Sequence, residues 1–332
     1  MSTPAKISYG VVVATIVAAA WLHLGPLVLA AFFSYFALTK LFAATKRKWI
    51  SLVLFLICLI AIAYAAGYFT RAAWRALPEI ADSSIPSATA WMEKRNIELP
   101  FTDFETFKAF LIAQLKDEIH YLNNVAHFAG AATTVLVLII IGIVVAASLF
   151  FRRWRHQNES PAAQEETPNL YSASATEIAA RFNDLYRSFE TVMGAQIIIS
   201  SINTALTAIF VLVIGLPHAA VVVGVTFLCG LLPIVGNLIS NTIIVFLSAT
   251  LSLKVALVSL IFLVAIHKLE YFLNSKIIGG WIRNPVWLTL IGLIIGEVVM
   301  GIPGMVLAPV VLNYMRLEMS KIDTQPAPGA VA

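Results

Sequence analysis

Eight runs of apolar residues divide the chain, at about 8–24, 26–44, 50–70, 130–151, 194–216, 218–250, 253–273 and 286–316. A helix needs roughly 18 or more such residues to cross the hydrocarbon of a bilayer. Lipid satisfies no backbone group, so each run must close its own hydrogen bonds, and a helix does this within a single segment. Composition points the same way: the 332 residues are 60% hydrophobic and 12% charged, with a mean hydropathy of +0.87. A soluble domain carries about 25% charged residues. The expectation is an all-α integral membrane protein of about eight transmembrane helices.

The sixth and eighth runs are too long for one straight crossing of roughly 20 residues. Each carries breakers, Pro233 with Gly236 in the sixth and Gly301, Pro303 and Gly304 in the eighth, so both are expected to be broken or re-entrant. The first two runs meet at Gly25-Pro26 and form a tight hairpin if both cross. Lys6 ahead of an apolar run resembles a signal peptide. The next run starts at once, with no soluble domain to deliver, which favours a retained helix. Cys58 and Cys229 lie far apart in apolar runs and read as packing residues rather than a disulfide or metal pair.

Six segments follow: helices one to three over 1–70, an extracytoplasmic amphipathic helical segment over 71–129, helix four over 130–151, a cytoplasmic linker and amphipathic helix over 152–193, helices five to eight over 194–318, and a disordered tail over 319–332. Lys40, Lys46, Arg47 and Lys48 cluster between the second and third spans, and Arg152, Arg153 and Arg155 follow the fourth. The positive-inside rule then puts both termini in the cytoplasm. Thr102-x-x-Glu105 reads as a capping box opening a helix with Phe107, Phe110, Leu111, Leu115, Ile119 and Leu122 on one side. That face suits the membrane surface, the protein's own spans or a neighbouring subunit. Residues 156–173 read as a flexible linker. Ser174-x-x-Glu177 opens a second amphipathic run carrying Ile178, Phe182, Leu185, Phe189 and Val192, which feeds span five.

Polar side chains inside spans mark the candidate chemistry. In "LLPIVGNLISNT", Pro233 removes a backbone donor and Gly236 loosens the next turn. Asn237, Ser240 and Asn241 then share one face. Backbone freed there must be buried in protein or line a watery cavity, which is how many secondary transporters build substrate sites. The competing account is a proline kink whose amides join neighbouring helices. Span five carries Ser200, Asn203, Thr204 and Thr207 on one stripe, a pattern more typical of a packing seam. In "AIHKLEYFLNSKIIGG", His267, Glu270, Tyr271 and Asn274 stand at i, i+3, i+4 and i+7. His267 and Glu270 are placed to exchange a hydrogen bond and to couple to protons, but they are too few for a metal site. A polar helix end at the interface is the alternative. Glu297 sits between Gly292-x-x-x-Gly296 and the Gly301-Ile302-Pro303-Gly304 breaker. A carboxylate there costs several kcal/mol unless paired, protonated or wetted.

Three segments carry a resemblance: "GLPHAAVVVGVTFLCGLLPIVGN" (215–237), "HKLEYFLNSKIIGGWIRNP" (267–285) and "GEVVMGIPGMVLAPV" (296–310). Their order resembles the autoinducer-2 exporter family, also described as PerM-like predicted permeases. The matching positions are Pro233 with Gly236, Glu270, Lys276 with Gly279, Pro285, and Gly301 with Gly304-Met305. The likeness covers residues 176–316 best and rests on the arrangement of spans over 1–70. It implies eight transmembrane helices, a sizeable outer segment after the third, homo-oligomers, and either export of a signalling molecule or sodium/proton antiport. The chain departs at Ser275, where the family often has Pro, and at Glu297, where it usually has an apolar or aromatic residue.

These readings together predict a secondary transporter of the bacterial inner membrane, an exporter or cation/proton antiporter with its site between broken helices. The predicted pathway comprises Pro233, Gly236, Asn237, Ser240, Asn241, His267, Glu270, Glu297, Gly301, Pro303 and Gly304. Its partners are the lipid bilayer, a small solute or cation (H+, Na+ or Li+) and other copies of itself, with no nucleic acid, cofactor or metal. The alternative is a membrane scaffold acting through the outer segment. An enzyme is disfavoured, because neither a zinc-ligand set nor a Ser/His or paired-Asp motif is present.

Overall fold

The computed structural model describes residues 2–93, 105–106, 109, 125–158, 169–232, 235–273 and 285–321. Pro233, Asn274, Ser275, Lys276, Gly279, Thr102, the apolar face from Phe107 to Leu122 and most of the tail lie outside them. Among the described residues every element is a helix: α1 Thr3–Trp21, α2 Gly25–Thr45, α3 Lys48–Glu93, α4 Val125–Asn158, α5 Leu170–Val213, α6 Ala219–Gly230, α7 Val235–Leu251, α8 Leu253–Leu273, α9 Val286–Met300 and α10 Ile302–Ser320. This is an all-α membrane protein. Five stretches are long and apolar enough to cross a bilayer: Thr3–Trp21, Gly25–Thr45, Lys48–Ala72, Ala132–Arg152 and the helix Leu170–Val213.

Two expectations are refined. The second amphipathic run does feed span five, but its helix opens before Ser174. One continuous helix of 44 residues starts at Leu170, capped by Asn169, whose Oδ1 accepts from the Ser172 backbone at 2.8 Å while its own N–H donates to Ser172 Oγ at 3.1 Å. The long sixth and eighth runs each resolve into two shorter helices rather than one bent span. At 12 and 15 residues, α6 and α9 rise about 18 and 22 Å, short of the ~30 Å hydrocarbon core.

The contacts show how the halves of each broken run meet. In the eighth, Gly301 turns the chain with φ 64° and ψ −147°, a region open to little but glycine. A Cβ on Gly296 or on Gly304 would strike the other's carbonyl, and one on Gly292 would meet Leu312 at 2.9 Å. Contacts that widen in sequence from 296/304 to 292/312 define an antiparallel hairpin, the re-entrant form of the expectation. Pro303 lies in the first turn of α10, where no backbone donor is needed. In the sixth run Gly236 lies on the Cys229 carbonyl across the break, and further out Val222 shares a core cluster with Ile244 and Leu247. These halves also double back.

The chain divides into two compact units. One comprises Met1–Lys40, Leu138–Ala195 and Ile278–Ala332; the other Leu41–Val137 and Gln196–Ile277. In the first, Phe32, Phe33 and Phe189 pack with ring centroids 5.0–5.1 Å apart, and Tyr35 meets Tyr186 edge-on at 4.8 Å. Its polar interior joins α1, α5 and α10. Arg181 donates to Glu318 Oε2 at 2.5 Å and Ser8 Oγ at 2.9 Å, its guanidinium lies 3.7 Å over the Tyr9 ring, and Tyr9 also donates to Glu318. In the second unit, Val211, Leu216, Val222, Ile244, Leu247 and Leu263 form the core, Phe210 stacks on Phe262 at 3.9 Å, and Ser248 bonds Ser259 at 2.6 Å.

Candidate functional site

The predicted site residues fall into two groups, one in each unit. Asn237, Ser240, Asn241, His267 and Glu270 belong to the second; Glu297, Gly301, Pro303 and Gly304 to the first.

In the second unit the groups are set by which stripe of each helix is buried. Along α7, Ser240, Ile244, Leu247 and Ser248 are all buried, while Leu238 and Phe246 are exposed. Asn237 and Asn241 flank Ser240 on that inward stripe and are partly buried. Along α8 the inward stripe runs Ser259, Leu263, Ile266 and then Glu270, whose side chain is 13% exposed. Two helices with facing polar ends then bring an amide to a carboxylate. Asn237 Nδ2 donates to Glu270 Oε2 at 2.5 Å. His267, expected to be Glu270's partner, lies off this stripe with its side chain 71% exposed. Its Nδ1 stands 4.0 Å from Glu270 Oε2, beyond hydrogen-bond reach. It acts on Glu270 only through space.

Two features of the centre had not been singled out for it. A cavity of about 10 Å³, room for one water, is lined by Glu270 and Asn203 together with Ile199, Ile202, Leu206, Ile266 and Leu269. Asn203 is 9% exposed, and its Oδ1 has no hydrogen-bond partner among the described residues. The second feature is the treatment of the α6 terminus, whose last carbonyls have no partners within the helix. Gln196 Nε2 donates to Gly230 O at 2.6 Å and Ser200 Oγ to Phe227 O at 2.9 Å. The polar stripe of α5 is here a packing seam that closes a broken helix. Its signal in sequence is Gln196 with Ser200 at i, i+4, two polar residues on one face of an apolar run.

In the first unit, Glu297 is on the outer side of α9. It is exposed, between Ile294 at 64% and Val298 at 75%, while Leu293 and the glycines face α10. Gly301, Pro303 and Gly304 build the turn and the close helix contact, with the Gly301 N–H donating to Glu297 O at 2.7 Å.

Helices apolar enough to span a bilayer, interrupted where polar side chains gather, are an architecture found among membrane transporters. Comparison with known families makes the class specific: the model of the AI-2E family transporter matches residues 8–316, and the chain belongs to that family. Membrane transport is its general activity. A Bacillus subtilis (strain 168) protein named "Putative transport protein YdbI" is similar, 33% identical over 135 residues, which cover 40% of this chain and 38% of that one.

Proposed function

We propose that this protein is a secondary transporter, an exporter or cation/proton antiporter moving a small solute or ion across the bacterial inner membrane, with Glu270 as its coupling group. The reading rests on one observation: a largely buried carboxylate held by Asn237 from the neighbouring helix, beside a helix break. Ionised, Glu270 has the Asn237 amide as its donor and needs a cation nearby. Protonated, it is neutral and free of that need. A group that exchanges a proton for a cation in this way converts a membrane gradient into movement, and one charge crossing 100 mV is worth about 2.3 kcal/mol. Asn203 lines the same small cavity, its Oδ1 buried and without a hydrogen-bond partner among the described residues. The basic clusters at Lys40–Lys48 and Arg152–Arg155 support termini on the cytoplasmic side.

The test is reconstitution in proteoliposomes with an entrapped pH dye, under imposed Na+, Li+ and K+ gradients. A proton flux that depends on one of these cations supports antiport. Well-folded protein that moves no protons under any gradient eliminates cation/proton coupling and leaves export of an uncoupled solute.

A further inference from the structure

The first compact unit contains a cavity of about 660 Å³ among α1, α2, α4, α5 and α10, within the roughly 300–1,000 Å³ range of small-molecule sites. The cavity is half open to its surroundings rather than sealed, so a guest can enter it from the side. The cavity is long. A Cβ on Gly142 of α4 would strike Leu27 O and Ala31 N of α2, and one on Gly25 would strike Pro303 and Met300, so Leu27 and Met300 mark one end. Arg152, also in the lining, is ten residues beyond Gly142, about 15 Å further along the helix axis. Between these ends the walls are mostly aliphatic and aromatic, Phe32, Phe182 and Val310 among them, with Thr15, Tyr35, Asn183 and Tyr186 as the uncharged polar members.

Charge is confined to one place. Arg152 is the only charged residue in the lining and makes no ion pair among the described residues. The Thr15 hydroxyl already donates to Val11 O at 2.8 Å, and Tyr186 shares a hydrogen bond with Thr39 at 3.2 Å. Arg152 is also the last residue of the apolar stretch Ala132–Arg152, which puts its guanidinium at the level where hydrocarbon gives way to water. An apolar slot with a guanidinium at its surface end matches a guest with an acidic head and an apolar body, because guanidinium pairs carboxylates in bidentate fashion.

We propose that this cavity binds a single-chain amphipathic anion of the long-chain carboxylate type, its acid group on Arg152 and its chain running toward Leu27 and Met300. The inference stands apart from the coupling role of Glu270, since binding is read with no gradient present.

The test uses the full chain in nanodiscs of zwitterionic lipid, titrated with dansyl-undecanoate and, separately, with its methyl ester. Saturable fluorescence enhancement by the acid is expected. Arg152→Gln, at an exposed position, should weaken the acid about tenfold, the loss of one charge-assisted contact, and leave the ester unchanged. Ala19→Phe, which narrows the slot, should weaken both. Non-saturable partitioning of the probe overturns the proposal. So does an Arg152→Gln variant that binds the acid as wild type does, or that loses acid and ester alike. A two-chain phospholipid that co-purifies with the protein and resists displacement by the probe would also overturn it.

Discussion

Arg181 joins three helices through a side chain only 11% exposed, against a Glu318 that is 6% exposed. Removing Arg181 leaves the buried Glu318 with the Tyr9 hydroxyl and the half-exposed Lys321 as its remaining partners. Arg181→Ala should therefore destabilise the folded chain by up to about 3 kcal/mol, the low end for a broken buried pair. Lys40→Ala breaks a bridge to Glu190 whose members are 57% and 36% exposed, and should cost about 0–1 kcal/mol. Thermal unfolding of both variants in the same detergent checks the contrast; equal shifts would contradict it. Lys321 adds a pH dependence. Partial burial alone would lower its pKa, but hydrogen bonds to Asp184 and Glu318, with their negative charges, hold it above the ordinary 10.5. A pKa raised by folding contributes stability that is complete below the unfolded value and is lost as pH rises through the folded one. The melting temperature should fall more steeply at alkaline pH in wild type than in Lys321→Met. The contacts of Arg181 were not legible in the sequence, because Glu318 and Ser8 lie 137 and 173 residues away and leave no periodicity behind.

At the scale of elements, each broken helix needs its own repair. Gln196 and Ser200 satisfy the α6 carbonyls. Replacing either by an apolar residue leaves a buried acceptor unpaired, at about 1–3 kcal/mol. Gln196→Leu and Ser200→Ala should each lower the melting temperature, and the double variant should lose about the sum, since Gly230 O and Phe227 O are separate acceptors. In the α9–α10 hairpin, Gly301→Ala strains a backbone region that favours glycine, about 1–3 kcal/mol. Gly304→Val is more severe, since its side chain meets the Gly296 carbonyl and Met300 and must push the helices apart. A Gly304→Val protein as stable as Gly301→Ala would mean that the two helices do not pack in this way. The breaks themselves were legible, as Gly and Pro punctuation inside apolar runs too long for one span. Whether the chain bends or doubles back was not. Both outcomes share the same turn residues, and the choice rests on Gly296 meeting Gly304, a contact across the turn. Of the apolar side of the second amphipathic run, Leu185, Phe189 and Val192 are buried. The run feeds span five as expected, but its start at Leu170, ahead of Ser174, was not legible because the linker composition hides the cap at Asn169.

For the molecule as a whole, transport belongs to the family and coupling to the proposal. The residues of the coupling centre were each visible in the sequence as polar groups within spans. Their pairing was legible in part: i, i+3 spacing sets His267 4.0 Å from Glu270, at ion-pair rather than hydrogen-bond distance, while the hydrogen bond from Asn237 to Glu270 joins two helices and leaves no local spacing. Glu297 drew attention for its apolar surroundings, and those surroundings prove to be the exposed face of α9. The proposed cytoplasmic placement of both termini predicts that single cysteines introduced at Ser2 and Ser320, in a chain lacking Cys58 and Cys229, resist an impermeant thiol reagent added outside intact cells and react once the membrane is opened. The most direct measurement of the central claim is cation-dependent proton flux in proteoliposomes, comparing Glu270→Gln and Glu297→Gln with wild type at matched protein content. The account predicts that Glu270→Gln loses the flux and Glu297→Gln keeps it. Flux retained in Glu270→Gln would contradict it.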